Sequence, residues 1–175
     1  PFKSIEDLIA AAKVNPGKFT SGSTGHGGTG HLILIELQKA TGTTFSQVPF
    51  KGGPEAIAAL FGGHIDFMID GVTPALSGGG RARFLALATE RPSERFPGVP
   101  TLREKGIDAV GWSPYGILAP KRTPREITMT LHDAFKQAMS DPGHQELLDK
   151  FIMPVWYKSP EEFRAWAEKY YTDVL

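Results

Sequence analysis

The sequence predicts an α/β fold built on a mostly parallel sheet, with a helical part at the C-terminal end. Two observations carry this. Between Lys18 and Ala88, short apolar or alternating runs are separated by glycine-rich loops and by helices too short to stand alone. That strand, loop, helix rhythm belongs to parallel sheets. From about Lys121 the pattern changes to three amphipathic helices with clear start signals, which need a sheet or a partner to cover them. The division is therefore 1–120, α/β, and 121–175, helical. With 175 residues, 41% of them apolar and 11 of them Phe, the chain can bury a sizeable core.

Ser4 with Asp7 three residues on resembles a capping box, and Ile5, Leu8, Ile9 and Ala12 form a helical stripe that Asn15-Pro16-Gly17 stops. Lys18–Ser21 is a short strand, and Leu32–Ala40 is a buried helix ending near Thr41-Gly42. Thr44–Val48 alternates like a strand, and Glu55–Phe61 is a short helix. Ile65–Asp70 is the next strand, and Gly71-Val72-Thr73-Pro74 opens a short helix that Gly78-Gly79-Gly80 closes. Phe84–Ala88 is short and apolar enough for a buried strand. Val99–Gly106 is a helical turn ended by glycine, and Val110–Pro120 is extended and aromatic, predicting a crossover strand. Thr123-Pro124-Arg125-Glu126 predicts a capping box with proline at the first helical position, followed by a buried stripe of Ile127, Leu131, Phe135 and Ala138. Asp141-Pro142 starts a second helix with Leu147, Leu148 and Phe151 inward. Met153–Trp156 is a candidate strand, and Ser159-Pro160-Glu161-Glu162 caps a last helix striped by Phe163, Trp166 and Tyr170.

The chemistry is concentrated in Thr20-Ser21-Gly22-Ser23-Thr24-Gly25-His26-Gly27-Gly28-Thr29-Gly30-His31. A glycine-rich loop feeding a helix presents backbone N–H groups at the positive end of the helix dipole, which suits a carboxylate or phosphate. The candidate ligand contacts are the N–H groups and hydroxyls of Ser23, Thr24, Gly25, Gly27 and Thr29, with His26 among them. Lys51 and Asp70 stand in the loops after the next two strands. Lys51 can neutralise an anion or face solvent, and Asp70 can meet a ligand or cap the following helix. The plain alternative is a glycine-rich turn that only redirects the chain.

Several classes are disfavoured. Nineteen basic residues balance 19 acidic ones without a basic run, so nucleic acid is not an expected partner. No apolar run reaches the roughly 18 residues needed to cross a bilayer. Without cysteine there are no disulfides, thiolate metal sites or Cys nucleophile. His26 and His31 are five apart, not the four of a helical zinc pair. Ser23 has Ser21 where a nucleophile elbow needs glycine. No catalytic residue, metal ligand or cofactor follows from the residues. Gly25-His26-Gly27-Gly28-Thr29-Gly30 does fit the dinucleotide pattern G-x-G-x-x-G. The strand before it is polar, however, and Val48-Pro49-Phe50-Lys51 stands where an acidic residue is expected about 20 positions on. An NAD-type dehydrogenase fragment is kept as the alternative from another class.

One family brings these pieces together. Asp7-Leu8-Ile9-Ala10, Asn15-Pro16-Gly17-Lys18, Gly22-Ser23-Thr24-Gly25-His26-Gly27 and His31-Leu32 match it, as do Val48-Pro49-Phe50-Lys51-Gly52-Gly53 and Gly62-Gly63-His64-Ile65-Asp66-Phe67-Met68. Arg83–Ala88, Phe96–Thr101, Trp112, Gly116–Pro120 and Ser159–Phe163 extend the match in order along nearly the whole chain. The chain resembles the solute-binding proteins of tripartite tricarboxylate transporters, the Bug or TctC family. The resemblance implies a periplasmic-binding-protein-like α/β fold of two lobes with the ligand between them. Residues 1–120 would be the complete second lobe, and 121–175 would be helices returning to a first lobe that is only partly present. It also implies a non-enzymatic, periplasmic protein that delivers a small organic acid or amino acid to membrane transporter subunits. Gly28 departs from the family, where Ser or Thr is common, and Thr29 can supply that hydroxyl instead. The chain opens at Pro1 and enters a helix almost at once, which points to a processed chain or a piece of a longer one. The stripes carrying Phe135, Leu147, Phe151, Phe163 and Trp166 lack a sheet, so a homodimer through the C-terminal helices is expected.

Overall fold

A serine begins the first helix as the sequence predicts. The Ser4 hydroxyl accepts the Asp7 N–H at 3.2 Å, although Asp7 returns the bond to the Lys3 N–H (3.0 Å) rather than to Ser4. The computed structural model describes residues 2–76, 79–111, 113, 115–153 and 155–174. It forms two compact units, Pro1–Ser113 and Pro114–Leu175.

In the first unit α1 (Ile5–Val14) precedes β1 (Thr20–Thr24), α2 (Thr29–Thr41), β2 (Ser46–Phe50), α3 (Gly53–Phe61), β3 (Phe67–Met68) and α4 (Val72–Leu76). The three strands are parallel in the order β2-β1-β3, with Ser21 opposite Gln47, Thr24 opposite Phe50 and Gly22 opposite Met68. β1 starts two residues later than expected and continues through Gly22-Ser23-Thr24. Strands on both sides supply that backbone with partners, so the polar composition does not end the strand. α2 begins at Thr29, three residues earlier than the apolar run implies. α3 begins at Gly53, with proline in its first turn.

Between residues 80 and 120, two predicted strands do not form among the described residues. Phe84–Ala88 makes only a single bridge, Leu87 with Thr101. The Leu87 N–H donates to Pro100 O (2.8 Å) and its carbonyl accepts from Leu102 (2.9 Å), the two bonds of that bridge, and the pairing goes no further. A 3-10 helix, Arg103–Lys105, follows directly and is ended by Gly106. Between residues 110 and 120 no crossover strand forms among the described residues, and Gly111 instead donates to Ala88 O at 2.8 Å. Trp112, Pro114, Gly78 and Pro154 lie outside the described residues.

The core lies between α1, α2 and the sheet, with Leu8, Ile33, Leu34, Leu37, Phe45, Phe67, Leu102 and Ile107 buried together. Phe45 and Phe67 meet edge to face at 4.9 Å. Asp66 ties the start of β1 to the chain entering β3: its Oδ2 accepts from the Thr20 N–H and from the Thr20 hydroxyl, both at 2.8 Å.

In the second unit α5 (Arg125–Met139), α6 (Pro142–Lys150) and α7 (Pro160–Val174) are all present. The α5 capping box does not form. Pro124 itself holds the cap position with an extended ψ of 142°, and no side chain bonds to it. The other two starts form as predicted. Asp141 accepts from Gly143 and His144, and Ser159 and Glu162 exchange bonds at 2.8 and 3.2 Å. The bonds from Ser159 hold the Glu162 carboxyl below its ordinary range. Trp156, Phe163, Trp166 and Tyr170 pack as one aromatic group. The stripes of α5 and α6, read as inward, are exposed instead: Ile127, Leu131, Phe135, Leu147 and Phe151 are each 41–51% accessible. Residues 153–156 form no strand among those described.

Glu36 on α2 joins the core to the chain beyond it by accepting the Val110 N–H at 3.3 Å. Burial pushes its carboxyl above the ordinary value, with help from nearby Asp108 and opposition from the Val110 bond. A raised carboxyl favours folding below the unfolded-state pKa, and that benefit disappears as pH rises through the folded-state value. Glu36→Gln keeps an acceptor for Val110 and removes the charge. Thermal unfolding should show a small rise in Tm at pH 7 and no change below about pH 4, where the glutamate is already protonated. A lower Tm at pH 7 would show that the charged bond outweighs desolvation.

Candidate functional site

Three parallel strands bring three loops to one edge. β1, β2 and β3 end at Thr24, Phe50 and Met68, and residues 25–28, 51–52 and 69–71 follow them. From β1 the chain runs through α2 to β2 on one side, then through α3 to β3 on the other. The order reverses between β1 and β3, and in open α/β sheets ligands bind outside the carboxyl ends at such a switch point. Thr24, Gly25, His26, Gly27 and Thr29 lie on the first loop and at the start of α2, Lys51 on the second and Asp70 on the third.

The first loop is held closely. Gly25 and Gly27 have φ of 75° and 72°, a region open to glycine. The Gly25 N–H donates to Phe50 O at 3.1 Å and also approaches Ser23 O. The Gly27 N–H donates to His31 Nδ1 at 3.0 Å. Both of these predicted anion donors are therefore engaged within the chain. The His26 and His31 rings meet edge to face at 5.6 Å. Gly30 lies where a Cβ would run into the Ile69 carbonyl and come 3.1 Å from the Ser23 side chain. At Gly28 a Cβ would run into the Thr24 carbonyl.

Ser23, predicted to touch ligand, is fully buried. Its hydroxyl accepts from Gln47 Nε2 at 2.8 Å, and the same amide reaches Gly25 O at 3.2 Å. Ser23 supports the loop from beneath. Thr24, Gly25 and Thr29 are partly exposed, whereas His26 and Gly27 are exposed. Lys51 is exposed, and its backbone N–H donates to Glu55 (3.0 Å). Asp70 is also exposed and accepts the N–H of its neighbour Gly71 at 2.8 Å, a bond that caps no helix. Sequence reasoning missed Gln47. Its signal was a polar residue in an alternating strand, placed beside polar Ser21 by the register. Among the described residues no three His, Asp or Glu side chains gather as metal ligands. A cavity of about 370 Å³ elsewhere, lined by Lys3, Arg83 and Lys105 among others, holds none of the loop residues.

The sequence profile of the TctC family, described as "Tripartite tricarboxylate transporter family receptor", matches residues 1–171. The chain belongs to this family. A TctC relative from Cupriavidus necator, "UPF0065 protein in gbd 5'region", is 44% identical over 170 residues, covering 95% of this chain and 51% of the relative. Two solved structures share the fold. One is a Rhodopseudomonas palustris protein with adipate (TM-score 0.78, 25% identity, 97% of this chain and 57% of that one). The other is MatC from Rhodopseudomonas palustris with bound malate (TM-score 0.75, 25% identity, 86% and 52%). The chain spans about half the length of the curated relatives it matches. The fold is thus periplasmic-binding-protein-like α/β with a parallel sheet. Among the described residues no helix is long and apolar enough to cross a membrane. In this chain Gly25 and Gly27 take left-handed backbone and Gly30 leaves no room for a Cβ, so the G-x-G-x-x-G match requires no dinucleotide.

The two kinds of glycine separate in a stability experiment. Gly30→Ala places a Cβ against a backbone oxygen that cannot rotate away, and should cost about 1–3 kcal/mol. Gly27→Ala meets open space and pays only for φ, about 1–2 kcal/mol. Urea unfolding of both variants, with ligand binding measured alongside, checks the ranking. A Gly30→Ala protein as stable as wild type would show that α2 can lift off the sheet end freely.

Proposed function

We propose that this chain is the ligand-loop part of an extracytoplasmic solute-binding protein that captures a small carboxylate for a tripartite tricarboxylate-type transporter. The observation that carries the reading is the switch point: a glycine loop, a helix N-terminus and the exposed Lys51 share one sheet edge. Relatives with the same fold carry adipate and malate, so a dicarboxylate is the ligand class best supported. Thr24, Gly25, His26, Gly27, Thr29, Lys51 and Asp70 form the proposed contact surface, with Ser23 beneath it. In this reading the α/β residues form one lobe, the helices from 121 belong to the other, and the protein works in the periplasm without catalysing a reaction. Charge-assisted hydrogen bonds contribute about 1.5–3 kcal/mol each, and a few of them reach the roughly −8 kcal/mol of micromolar binding.

Calorimetric titration of the longest natural form of the protein with adipate, malate, citrate and NADH tests this. Saturable heat with an organic acid and none with NADH is expected, and the reverse would overturn the proposal. Gly27→Val should weaken binding at least tenfold, because it strains the loop and narrows the approach. Unchanged affinity would remove the loop from the site.

The chain by itself should self-associate through the exposed faces of α5 and α6, because two copies can cover each other's Phe135, Leu147 and Phe151. Light scattering should report a dimer with weakened ligand binding. A stable monomer binding as tightly as the longest natural form would contradict both expectations.

A further inference from the structure

Gln47 sits beside Ser21 in the register, and its side chain runs forward to Ser23 Oγ and to the Gly25 carbonyl. β2 thus holds Gly25 from both sides, because its N–H donates to Phe50 O and its C=O accepts from Gln47. The next peptide group is thereby oriented as well. The Gly25 carbonyl and the His26 N–H belong to one planar unit, and no described peptide is cis. In a trans peptide these two groups point in opposite directions. With the carbonyl turned to Gln47, the His26 N–H is turned away from Gln47. The His26 N–H has no hydrogen-bond partner among the described residues, and His26 is exposed. Gly25, at φ 75°, has the freedom to let this peptide invert if nothing holds the carbonyl.

We infer that Gln47 is a positioning residue that aims the His26 backbone N–H at the ligand's carboxylate. The inference rests on the carboxylate reading of the loop and adds a residue that touches no ligand. It gives His26 a role through its main chain. Gln47 acts by donating to an acceptor. An apolar side chain of similar length would leave the carbonyl unheld, and a carboxylate would repel it.

The experiment uses the longest natural form of the protein, ¹⁵N-labelled and titrated with malate or adipate, as wild type, Gln47→Met and Gln47→Glu. In wild type the His26 amide resonance should move on binding. Gln47→Met should bind about tenfold or more weakly, the loss of a charge-assisted hydrogen bond, with the His26 shift reduced. Gln47→Glu should be weaker still at pH 7. Relative to wild type at the same pH, it should recover near pH 4.5, where a protonated carboxyl can again donate to Gly25 O. A merely structural role would not produce that recovery. Carboxylate binding with a stationary His26 amide, or with Gln47→Met as tight as wild type, overturns the inference and leaves the proposed function standing. No binding of either acid by wild type overturns both.

Discussion

The seating of α2 on the end of the sheet sets the geometry of everything near the loop. At Gly30 the helix lies so close to the Ile69 carbonyl that no side chain fits between them. This approach fixes where the helix begins, and therefore how the chain must travel from Thr24 to Thr29. Four residues make that passage, two of them in left-handed backbone and one, Gly28, against the Thr24 carbonyl. A larger residue at either contact would push the helix outward and dissolve the turn. The loop's shape thus follows from a packing distance between two regular elements.

Beneath the loop, the central strand is unusual in being buried and polar. Ser21 and Ser23 are both fully buried on a strand paired on both sides. Ser23 is satisfied by Gln47, whereas the Ser21 hydroxyl has no partner among the described residues. Small side chains are what the geometry requires, because α2 leaves little room above β1. At Ser23 the approach is close enough that a Cβ on Gly30 would come within 3.1 Å of its side chain, and the hydroxyl at 23 serves as an anchor for the neighbouring strand. At the other end of β1, Asp66 meets Thr20 with three hydrogen bonds that involve a side chain and one between backbones, so polar pairs hold both ends of the strand.

The helical unit obeys different rules. α6 and α7 start where their caps say, α5 starts without its predicted cap, and the aromatic residues Trp156, Phe163, Trp166 and Tyr170 find one another. Its apolar stripes on α5 and α6 nevertheless remain open to solvent. Amphipathic periodicity states that a face should be covered and does not say by what.

The amount legible from the sequence varied with the range of the interaction. Glycine and proline stops, the Asp141 and Ser159 caps, and the strand-loop-helix rhythm depend on residues within a turn or two, so composition and spacing revealed them. The order of the glycine loop, Lys51 and Asp70 at successive strand ends was also readable, because a parallel sheet puts such loops on one edge. Three things were not legible. The extension of β1 through Gly22-Ser23-Thr24 depends on partners from residues 46–50 and 67–68. The reduction of Phe84–Ala88 to a single bridge depends on where its partner segment at Thr101 gives way to the 3-10 helix Arg103–Lys105. The inward turn of Ser23 and the reach of Gln47 depend on register. The sequence by itself determined the class of fold, the helix boundaries set by local caps, and the family. Only the tertiary structure decided which loop groups are exposed and which are buried beneath them. Backbone hydrogen bonds and close approaches between distant segments make that choice, and no local pattern encodes them.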